Sequence, residues 1–281
     1  MYYQFSKYSG CGNDFILFDN RHLTIPTLQP DIVSRLCHRQ QGVGADGVIL
    51  LENSDIAHYK MRIFNPDGSE AEMCGNGIRC LLKFIQDCGI EGTKFNIETM
   101  LRVLNVGFEG EEIAVEMGEP KDIRWSIPLS PWMAHHLDTG VPHAVIFCEN
   151  IDGLNLNECG KEIRRHSLFA PRGANANFAY VDANGLVHLR TYERGVELET
   201  LACGTGATAT ALAAAKMYGL KAPVHVTVRS GDTLKVDFKY INERFTDVRL
   251  KGPAQHIFSG TIAINDAKQF IHHRDKRKGK G

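Results

Sequence analysis

The chain has 281 residues, of which 43% are hydrophobic and 23% charged, and its formal net charge is -1. This composition is typical of a globular protein with one large domain or two of ordinary size, and the charge balance argues against a general nucleic-acid or membrane-surface binder. No stretch approaches the ~18 apolar residues of a membrane span, and the N-terminus lacks a signal-peptide core. We therefore expect a cytoplasmic protein whose eight cysteines are free thiols.

Short apolar or alternating runs, each closed by Gly, Pro, Asn or Asp, recur along the chain and predict strands. In chain order they are 15–18, 48–51, 59–64, 113–117, 145–147, 187–192, 224–228 and 234–238. Helical periodicity is confined to four segments, which are 31–39, 75–88, 156–165 and 205–218. The pattern predicts an α+β protein that is rich in strands, with two prominent and mostly buried helices at 75–88 and 205–218.

The two prominent helices begin in the same way. Cys74-Gly75-Asn76-Gly77 opens the first and Cys203-Gly204-Thr205-Gly206 opens the second, and a strand followed by a polar, acidic turn lies upstream of each. We interpret this agreement as an internal duplication that gives two similar domains facing each other. The predicted halves are 1–118 and 119–261, with 262–281 packed back on the first half, because a Gly-Glu-Pro breaks the pattern near their boundary.

A cysteine at the start of a helix is well placed for proton transfer. The first helical turn presents free N–H groups and a partial positive charge, which favour a bound carboxylate and lower the pKa of a thiol. If the symmetry brings both starts to one cleft, Cys74 and Cys203 flank a substrate from opposite sides. One thiolate then removes a Cα proton from one face and the other thiol returns a proton to the opposite face. The N–H groups stabilise the developing carbanion without pyridoxal phosphate.

The residues around these motifs resemble the diaminopimelate epimerase family, and the resemblance spans nearly the whole chain. The segments that carry it are 9–15, 64–70, 74–80, 140–143, 175–178, 193–195 and 199–206. The resemblance implies an α+β fold of two pseudo-symmetric domains, each a curled, mainly antiparallel sheet around a central helix. It also implies a homodimer that needs no cofactor and no metal. The implied reaction interconverts L,L- and meso-diaminopimelate, a small amino acid, in lysine and peptidoglycan precursor synthesis.

The resemblance further implies a role for individual residues. Cys74 and Cys203 would be the catalytic acid/base pair, and His143 and Glu193 would support the proton chemistry and the substrate amine. The substrate would be bound by the side chains of Asn13, Asn65, Asn76, Asn175 and Arg194 and by the backbone of Gly75, Asn76, Gly204 and Thr205.

Two departures from the family pattern bear on the substrate. Val141 stands where the family usually has an asparagine that touches the substrate. The loop from Glu193 to Cys203 is one residue longer than usual, which leaves Glu197 or Glu199 as alternatives to Glu193. Loss of one polar contact favours the hypothesis that smaller amino acids such as glutamate also react.

Other functions stay open on the sequence alone. The nearest is a racemase of another amino acid, such as glutamate, histidine or proline, on the same fold. An isomerase of the phenazine-biosynthesis type should lack the cysteine pair, and a pure binding protein would not need it. A thiol redox or thiol-transfer protein predicts a disulfide-forming pair at short spacing or a second substrate site. Among the remaining cysteines, Cys80 and Cys88 are expected in the core, and Cys11, in a glycine-rich turn, is given no role.

Overall fold

The computed structural model describes residues 1–25 and 27–264. All four predicted helices are present in these ranges. They are α1 (Pro30–Cys37), α2 (Gly75–Asp87), α3 (Leu156–Arg164) and α4 (Gly204–Tyr218), with one 3-10 turn at Ser167–Phe169. None of the helices in the described ranges is long and apolar enough to cross a membrane.

Eighteen strands make up most of the rest of the described chain. The first eight are β1 (Tyr2–Gly10), β2 (Asn13–Asp19), β3 (Gly47–Glu52), β4 (Tyr59–Phe64), β5 (Glu70–Ala71), β6 (Lys94–Glu98), β7 (Val103–Glu109) and β8 (Glu112–Glu116). The next five are β9 (Lys121–Leu129), β10 (Trp132–Asp138), β11 (Pro142–Phe147), β12 (Asn175–Val181) and β13 (Val187–Glu193). The last five are β14 (Leu198–Thr200), β15 (Val224–Thr227), β16 (Thr233–Ile241), β17 (Arg244–Gly252) and β18 (Gln255–Ala263).

The strand pairing repeats once along the chain. In the first half β2 lies parallel to β3 and β4 parallel to β6, while β1–β2, β3–β4, β4–β5, β6–β7 and β7–β8 are antiparallel. The strands from β10 to β17 follow the same scheme, with β11–β12 and β13–β15 as the parallel pairs. The prediction of a mainly antiparallel α+β fold with an internal repeat is confirmed.

The two ladders are joined by strands from opposite halves. β8 pairs with β17, and β18 returns to pair with β1. Within the second half, β9 pairs with β10. The division into 1–118 and 119–261 stays a prediction, and the pairing that returns the chain to the first half begins at Gln255. Of the segment 262–281 that was expected to pack there, 265–281 lie outside the described residues.

Each repeat wraps its strands around one helix. α2 packs against β1, β2, β8 and β18, and α4 packs against β11, β12, β13, β15 and β16. Every residue of α4 from Gly204 to Ala215 is buried, which its small alanine and threonine side chains allow. The helix ends at Gly219, whose φ of 71° requires a residue without a Cβ clash.

The cysteines of α2 differ in their surroundings. Cys80 is buried in the core, as predicted. Cys88 forms the C-cap of the helix and is exposed, so the prediction of a core position was wrong for this residue. The helix ends at Asp87, one residue before Cys88, so the Cys88 side chain does not continue the buried face of the helix.

Candidate active site

The first turns of α2 and α4 face each other. Cys74 is the N-cap of α2, and its Sγ accepts a hydrogen bond from the Gly77 backbone N–H at 3.4 Å. Cys203 occupies the same position on α4. A Cβ built on Gly75 would have the Cα of Gly204 as its neighbour at 3.9 Å. The two glycines therefore let two helix N-termini approach closely, with a thiol at the start of each.

Two adjoining cavities open at this junction. The reaction cavity, of about 140 Å³, is lined by both cysteines together with Gly75, Asn76, Gly204 and Thr205. The adjoining cavity, of about 460 Å³, contains Asn65 and a largely apolar wall. The residues common to both linings are Asn13, Met73, Cys74, Glu193 and Ala202. Nine of the predicted site residues line one or both cavities, and they are Asn13, Asn65, Cys74, Gly75, Asn76, Glu193, Cys203, Gly204 and Thr205.

A chain of amide side chains supports the Cys74 side of the junction. Asn76 is buried, and its Nδ2 donates to the Ala202 carbonyl at 3.1 Å and to Asn13 Oδ1 at 3.4 Å. The same Asn13 oxygen accepts a hydrogen bond from the Cys74 thiol at 3.7 Å. Asn13 is held in turn by Asp46, whose Oδ2 accepts from Asn13 Nδ2 at 2.7 Å. Asp46 lines the adjoining cavity and was missed by the sequence analysis, although it lies in a Gly-Ala-Asp-Gly turn.

The Cys203 side is supported by hydroxyl groups. Thr205 Oγ1 lies 3.4 Å from Cys203 Sγ. Its backbone oxygen accepts from the buried Thr139 hydroxyl at 2.8 Å, which ties the start of α4 to the loop before β11. Thr139 carries no sequence signal of this role, because the contact depends on how two distant segments pack. A Cβ on Gly206 would lie 2.5 Å from Asn177 Oδ1, so only glycine fits beneath the thiol.

Burial governs the protonation of both thiols. It raises the pKa of Cys74 and of Cys203, and the carboxyl of Glu193 raises both further. The Gly77 N–H and Arg79 act in the opposite direction on the pKa of Cys74, and Thr205 and the Gly206 N–H do so on that of Cys203. The expectation that the helix start alone would lower the pKa of these thiols was wrong, because desolvation outweighs the N–H groups.

Of the three candidates Glu193, Glu197 and Glu199, only Glu193 lines the two cavities. Its Oε2 accepts from the Thr200 hydroxyl at 3.0 Å, and burial raises the pKa of its carboxyl. Glu197 accepts from Arg164 Nε at 3.0 Å and Glu199 from Arg190 Nε at 2.8 Å, so both alternatives are held in ion pairs elsewhere. Within this loop Glu197 adopts a left-handed backbone conformation, with a φ of 58°.

The remaining predicted site residues lie together outside the linings of the two cavities. His143 and Asn175 are paired on β11 and β12, and both are buried. Asn177 Nδ2 lies 3.0 Å from His143 Nδ1, while His143 Nε2 has no partner among the described residues. Burial lowers the pKa of His143 to about 3. Asn175 Oδ1 accepts from the Arg194 backbone N–H at 2.7 Å, and the Arg194 guanidinium donates to the Arg172 carbonyl at 3.4 Å.

The arrangement brings several groups that can exchange protons to one cavity. It presents two thiols, two helix N-termini that can hold an anion, and a neighbouring carboxyl whose protonation is tuned by burial. Val141 and Leu101 add apolar surface to the reaction cavity. The adjoining cavity has room and amide groups for the far end of a longer substrate.

Solved structures of several proteins share the fold. A Bacillus anthracis phenazine biosynthesis protein of the PhzF family superposes with a TM-score of 0.73 over 94% of this chain and 100% of that chain, at 16% identity. A hydroxyproline epimerase from Agrobacterium vitis superposes with a TM-score of 0.63 over 95% and 94%, at 15% identity. At such identities the likeness establishes the fold class alone.

Sequence comparison gives the family. The family model described as diaminopimelate epimerase matches residues 5–123 and 136–257. The diaminopimelate epimerase of Chlorobaculum tepidum is 40% identical over 260 residues, covering 91% of this chain and 100% of that protein. That of Aquifex aeolicus is 38% identical over 276 residues, covering 92% and 98%. The chain therefore belongs to the diaminopimelate epimerase family, and it is an isomerase.

Proposed function

We propose that the protein interconverts L,L- and meso-diaminopimelate by moving the Cα proton between Cys74 and Cys203. The observation that carries the proposal is the meeting of two cysteine-capped helix starts, with Gly75 and Gly204 in close approach, at one small cavity. The substrate is suggested by the curated relatives, which are named diaminopimelate epimerases. The product would serve lysine and peptidoglycan precursor synthesis.

The reaction needs one proton to leave and another to arrive. The thiolate of one cysteine takes the hydrogen of Cα, and the electron pair of the broken C–H bond moves onto the substrate carboxylate as an enediolate. The thiol of the other cysteine then gives its proton to the opposite face of Cα. The N–H groups of the α2 and α4 first turns are placed to hold the carboxylate through this change of charge. After one turnover the two cysteines have exchanged protonation states.

Glu193 and His143 would assist the proton transfer from different distances to the reaction cavity. Glu193 lines the reaction cavity, and its raised pKa suits a group that exchanges a proton with the thiols or the substrate amine. His143 is buried behind the cavity with a free Nε2, so it would take part only after a rearrangement that opens a path to the substrate. A bound substrate that draws the two helix starts together would supply that rearrangement.

The far end of the substrate would occupy the adjoining cavity. Asn13 and Asn65 line it, and amide side chains can hold both an ammonium and a carboxylate group. Arg194 and Asn175 lie at the end of β13 and the start of β12, next to Glu193, and would be recruited when the loop from 193 to 203 closes on the substrate.

A second activity on glutamate is favoured by the apolar lining of the reaction cavity. Val141 and Leu101 offer no hydrogen bond to a polar group of the substrate, so discrimination against a shorter amino acid should be weaker than in an enzyme with an asparagine at 141. The variant Val141→Asn restores a polar group there and is expected to lower KM for diaminopimelate while reducing any turnover of glutamate.

The proposal is tested by turnover of pure isomers without added pyridoxal phosphate. We expect L,L-diaminopimelate to be converted to the meso isomer, followed by chiral chromatography, with kcat/KM well above that for L-glutamate. Turnover of glutamate, histidine or proline with no conversion of diaminopimelate would replace the proposed substrate while keeping the cysteine pair. Failure with all four amino acids would contradict the proposed function.

A further inference from the structure

Arg79 is the largest side chain that the fold buries completely. It lies one turn into α2, directly behind the thiol end of the helix, and its exposed fraction is 0%. An arginine keeps its charge at any working pH, and a buried guanidinium is ordinarily paired with a carboxylate. The groups that contact the Arg79 guanidinium therefore decide whether its charge is balanced.

Only neutral groups contact this guanidinium in the described part of the chain. Its Nη2 donates to Asn76 Oδ1 at 3.0 Å and to Cys11 Sγ at 3.2 Å. Nη1 donates to the Gly75 carbonyl and Nε to the Pro253 carbonyl, each at 3.2 Å. These contacts engage all three nitrogens of the guanidinium, but none of them cancels the positive charge.

The contacts of Arg79 reach the reaction cavity from behind. The bond to Asn76 Oδ1 fixes the orientation of that amide, so that Nδ2 points to Asn13 and to the Ala202 carbonyl of the second half. Asn13 Oδ1 in turn accepts a hydrogen bond from the Cys74 thiol. A Cβ on Gly204 would have Arg79 Nη1 as a neighbour at 3.9 Å. The guanidinium therefore lies behind both helix starts.

We propose that Arg79 is a positioning residue whose unpaired buried charge stabilises negative charge at the reaction cavity, on the Cys74 thiolate and the substrate carboxylate. This inference deepens the proposed function and rests on it for the identity of the reaction. The charge has no carboxylate partner because the anion that it serves is present only when a thiolate or a substrate occupies the cavity. It adds a permanent charge to the partial charges of the two helix starts.

The ionisable groups around Arg79 and Cys74 are consistent with this role. Arg79 lowers the pKa of three thiols, which are those of Cys11, Cys74 and Cys80, against the larger effect of burial. The charge of Asp232 acts on Cys11 in the opposite direction, but its Oδ2 accepts from Ser230 at 2.8 Å instead of pairing with Arg79. Other ionisable groups that face these thiols are Tyr8, Asp14, Glu193 and Cys203.

Cys11 offers a matched pair of variants that changes the charge beside Arg79 and little else. Its φ of 57° lies in the left-handed region, which aspartate and asparagine both tolerate. Cys11→Asp gives Arg79 a carboxylate partner, whereas Cys11→Asn introduces a side chain of the same size without the charge. Neither substitution touches a residue assigned to the catalytic or binding machinery.

The experiment measures the rate of alkylation of Cys74 by iodoacetamide against pH, with the modified peptide resolved by mass spectrometry. We expect the midpoint for Cys11→Asp to lie about one pH unit above that for Cys11→Asn, because the carboxylate neutralises the nearest cation. The kcat for diaminopimelate at neutral pH should fall about tenfold in Cys11→Asp relative to Cys11→Asn, since one pKa unit is a tenfold change in thiolate. Equal midpoints in the two variants would overturn the inference.

A second pair of variants covers the case in which Cys11 substitutions prevent folding. Arg79→Lys keeps the charge and Arg79→Gln removes it, so the alkylation midpoint should rise only in Arg79→Gln. An unchanged midpoint in Arg79→Gln would overturn the inference. Because alkylation requires no turnover, a midpoint shift in Arg79→Gln together with a wild-type protein that converts no diaminopimelate would contradict the proposed substrate and leave the role of Arg79 standing.

Discussion

At the scale of single residues, the two thiols combine a shared position with different partners. Cys74 is linked to Asn13 and the Gly77 N–H, whereas Cys203 lies beside the Thr205 hydroxyl. Burial raises the pKa of both, so each is stabilised as a thiol in the ligand-free protein. A thiolate therefore has to be formed with help from Glu193, from Arg79 or from the substrate ammonium group.

Removing either thiol should abolish catalysis without unfolding the protein. We expect Cys74→Ala and Cys203→Ala each to lower kcat by about a thousandfold or more, because one of the two proton-transfer groups is lost. Each substitution should lower the unfolding free energy by about 1 kcal/mol. Cys88→Ser is the control, since Cys88 is exposed at the far end of α2. Turnover by either alanine variant within tenfold of wild type would contradict the assignment.

The buried His143 predicts an acid-sensitive stability. Its pKa is lowered to about 3 in the folded state, against about 6.5 in the unfolded chain. Between these values the unfolded chain binds a proton that the folded protein does not, so stability falls as the pH is lowered through this window. From pH 7 to pH 5 the contribution of this one group is about 2 kcal/mol.

The variant His143→Gln removes the pH-dependent contribution of the imidazole, and its amide can still form a hydrogen bond with Asn177. Urea unfolding at pH 7 and pH 5 should show a drop in stability that is smaller than the wild-type drop by about 2 kcal/mol. Burial also lowers the pKa of His135 and His136, and their effect cancels because both proteins contain them. Equal drops in the two proteins would mean that His143 gains a proton in the folded state.

At the scale of elements, the start of α4 is built around glycine and small side chains. Gly206 lies beneath Cys203 with no room for a Cβ against Asn177, whose Oδ1 also accepts from the Thr191 hydroxyl at 3.0 Å. At the other end Gly219 is exposed, with no atom within 4 Å of an added Cβ. Close packing beside the thiol therefore requires glycine at Gly206, whereas the backbone conformation of the C-cap favours glycine at Gly219.

This difference gives a matched pair of substitutions. Gly206→Ala should lower kcat at least about tenfold, because the misplaced Cys203 loses its alignment, and should cost about 1–3 kcal/mol of unfolding free energy. Gly219→Ala should cost about 1 kcal/mol through its left-handed backbone and leave kcat unchanged. Steady-state kinetics and thermal unfolding of both variants provide the comparison. Full activity of Gly206→Ala would show that the packing around Cys203 does not control its alignment.

Local sequence patterns predicted the secondary-structure elements better than they predicted the tertiary contacts of those elements. The four helices and the repeated Cys-Gly-x-Gly starts follow from periodicity and glycine placement, which are local. The return of β18 to β1, the contact of Thr139 with Thr205 and the burial of His143 depend on pairing between distant segments. Burial at the cleft also reversed the direction expected for the pKa of the thiols, since helix position is local and desolvation is not.

At the scale of the whole molecule, strand pairing and side-chain contacts tie the two repeats together. β8 pairs with β17, β18 pairs with β1, and Arg79 of the first repeat donates to the Pro253 carbonyl behind β17. The reaction cavity lies between the two helix starts and takes lining residues from both repeats. The function therefore depends on the relative placement of the halves and not on either half alone.

These ties predict that the halves unfold together. Both tryptophans of the chain, Trp125 and Trp132, lie in β9 and β10, so their fluorescence reports the second repeat, whereas far-ultraviolet circular dichroism reports both. We expect the two probes to give coincident denaturation curves. A circular-dichroism transition that is partly complete before the fluorescence changes would show that the first repeat unfolds independently.

The most direct test of the two-thiol account is the fate of the Cα proton in deuterated buffer. L,L-diaminopimelate is incubated with the enzyme without pyridoxal phosphate, and substrate and product are analysed by proton NMR during the first few per cent of conversion. The account predicts deuterium at the inverted Cα of the meso product and none in the unreacted L,L isomer, because one thiol removes the proton and a solvent-exchanged thiol returns another. A product that retains its original proton would contradict it, since a single group would then have acted on both faces.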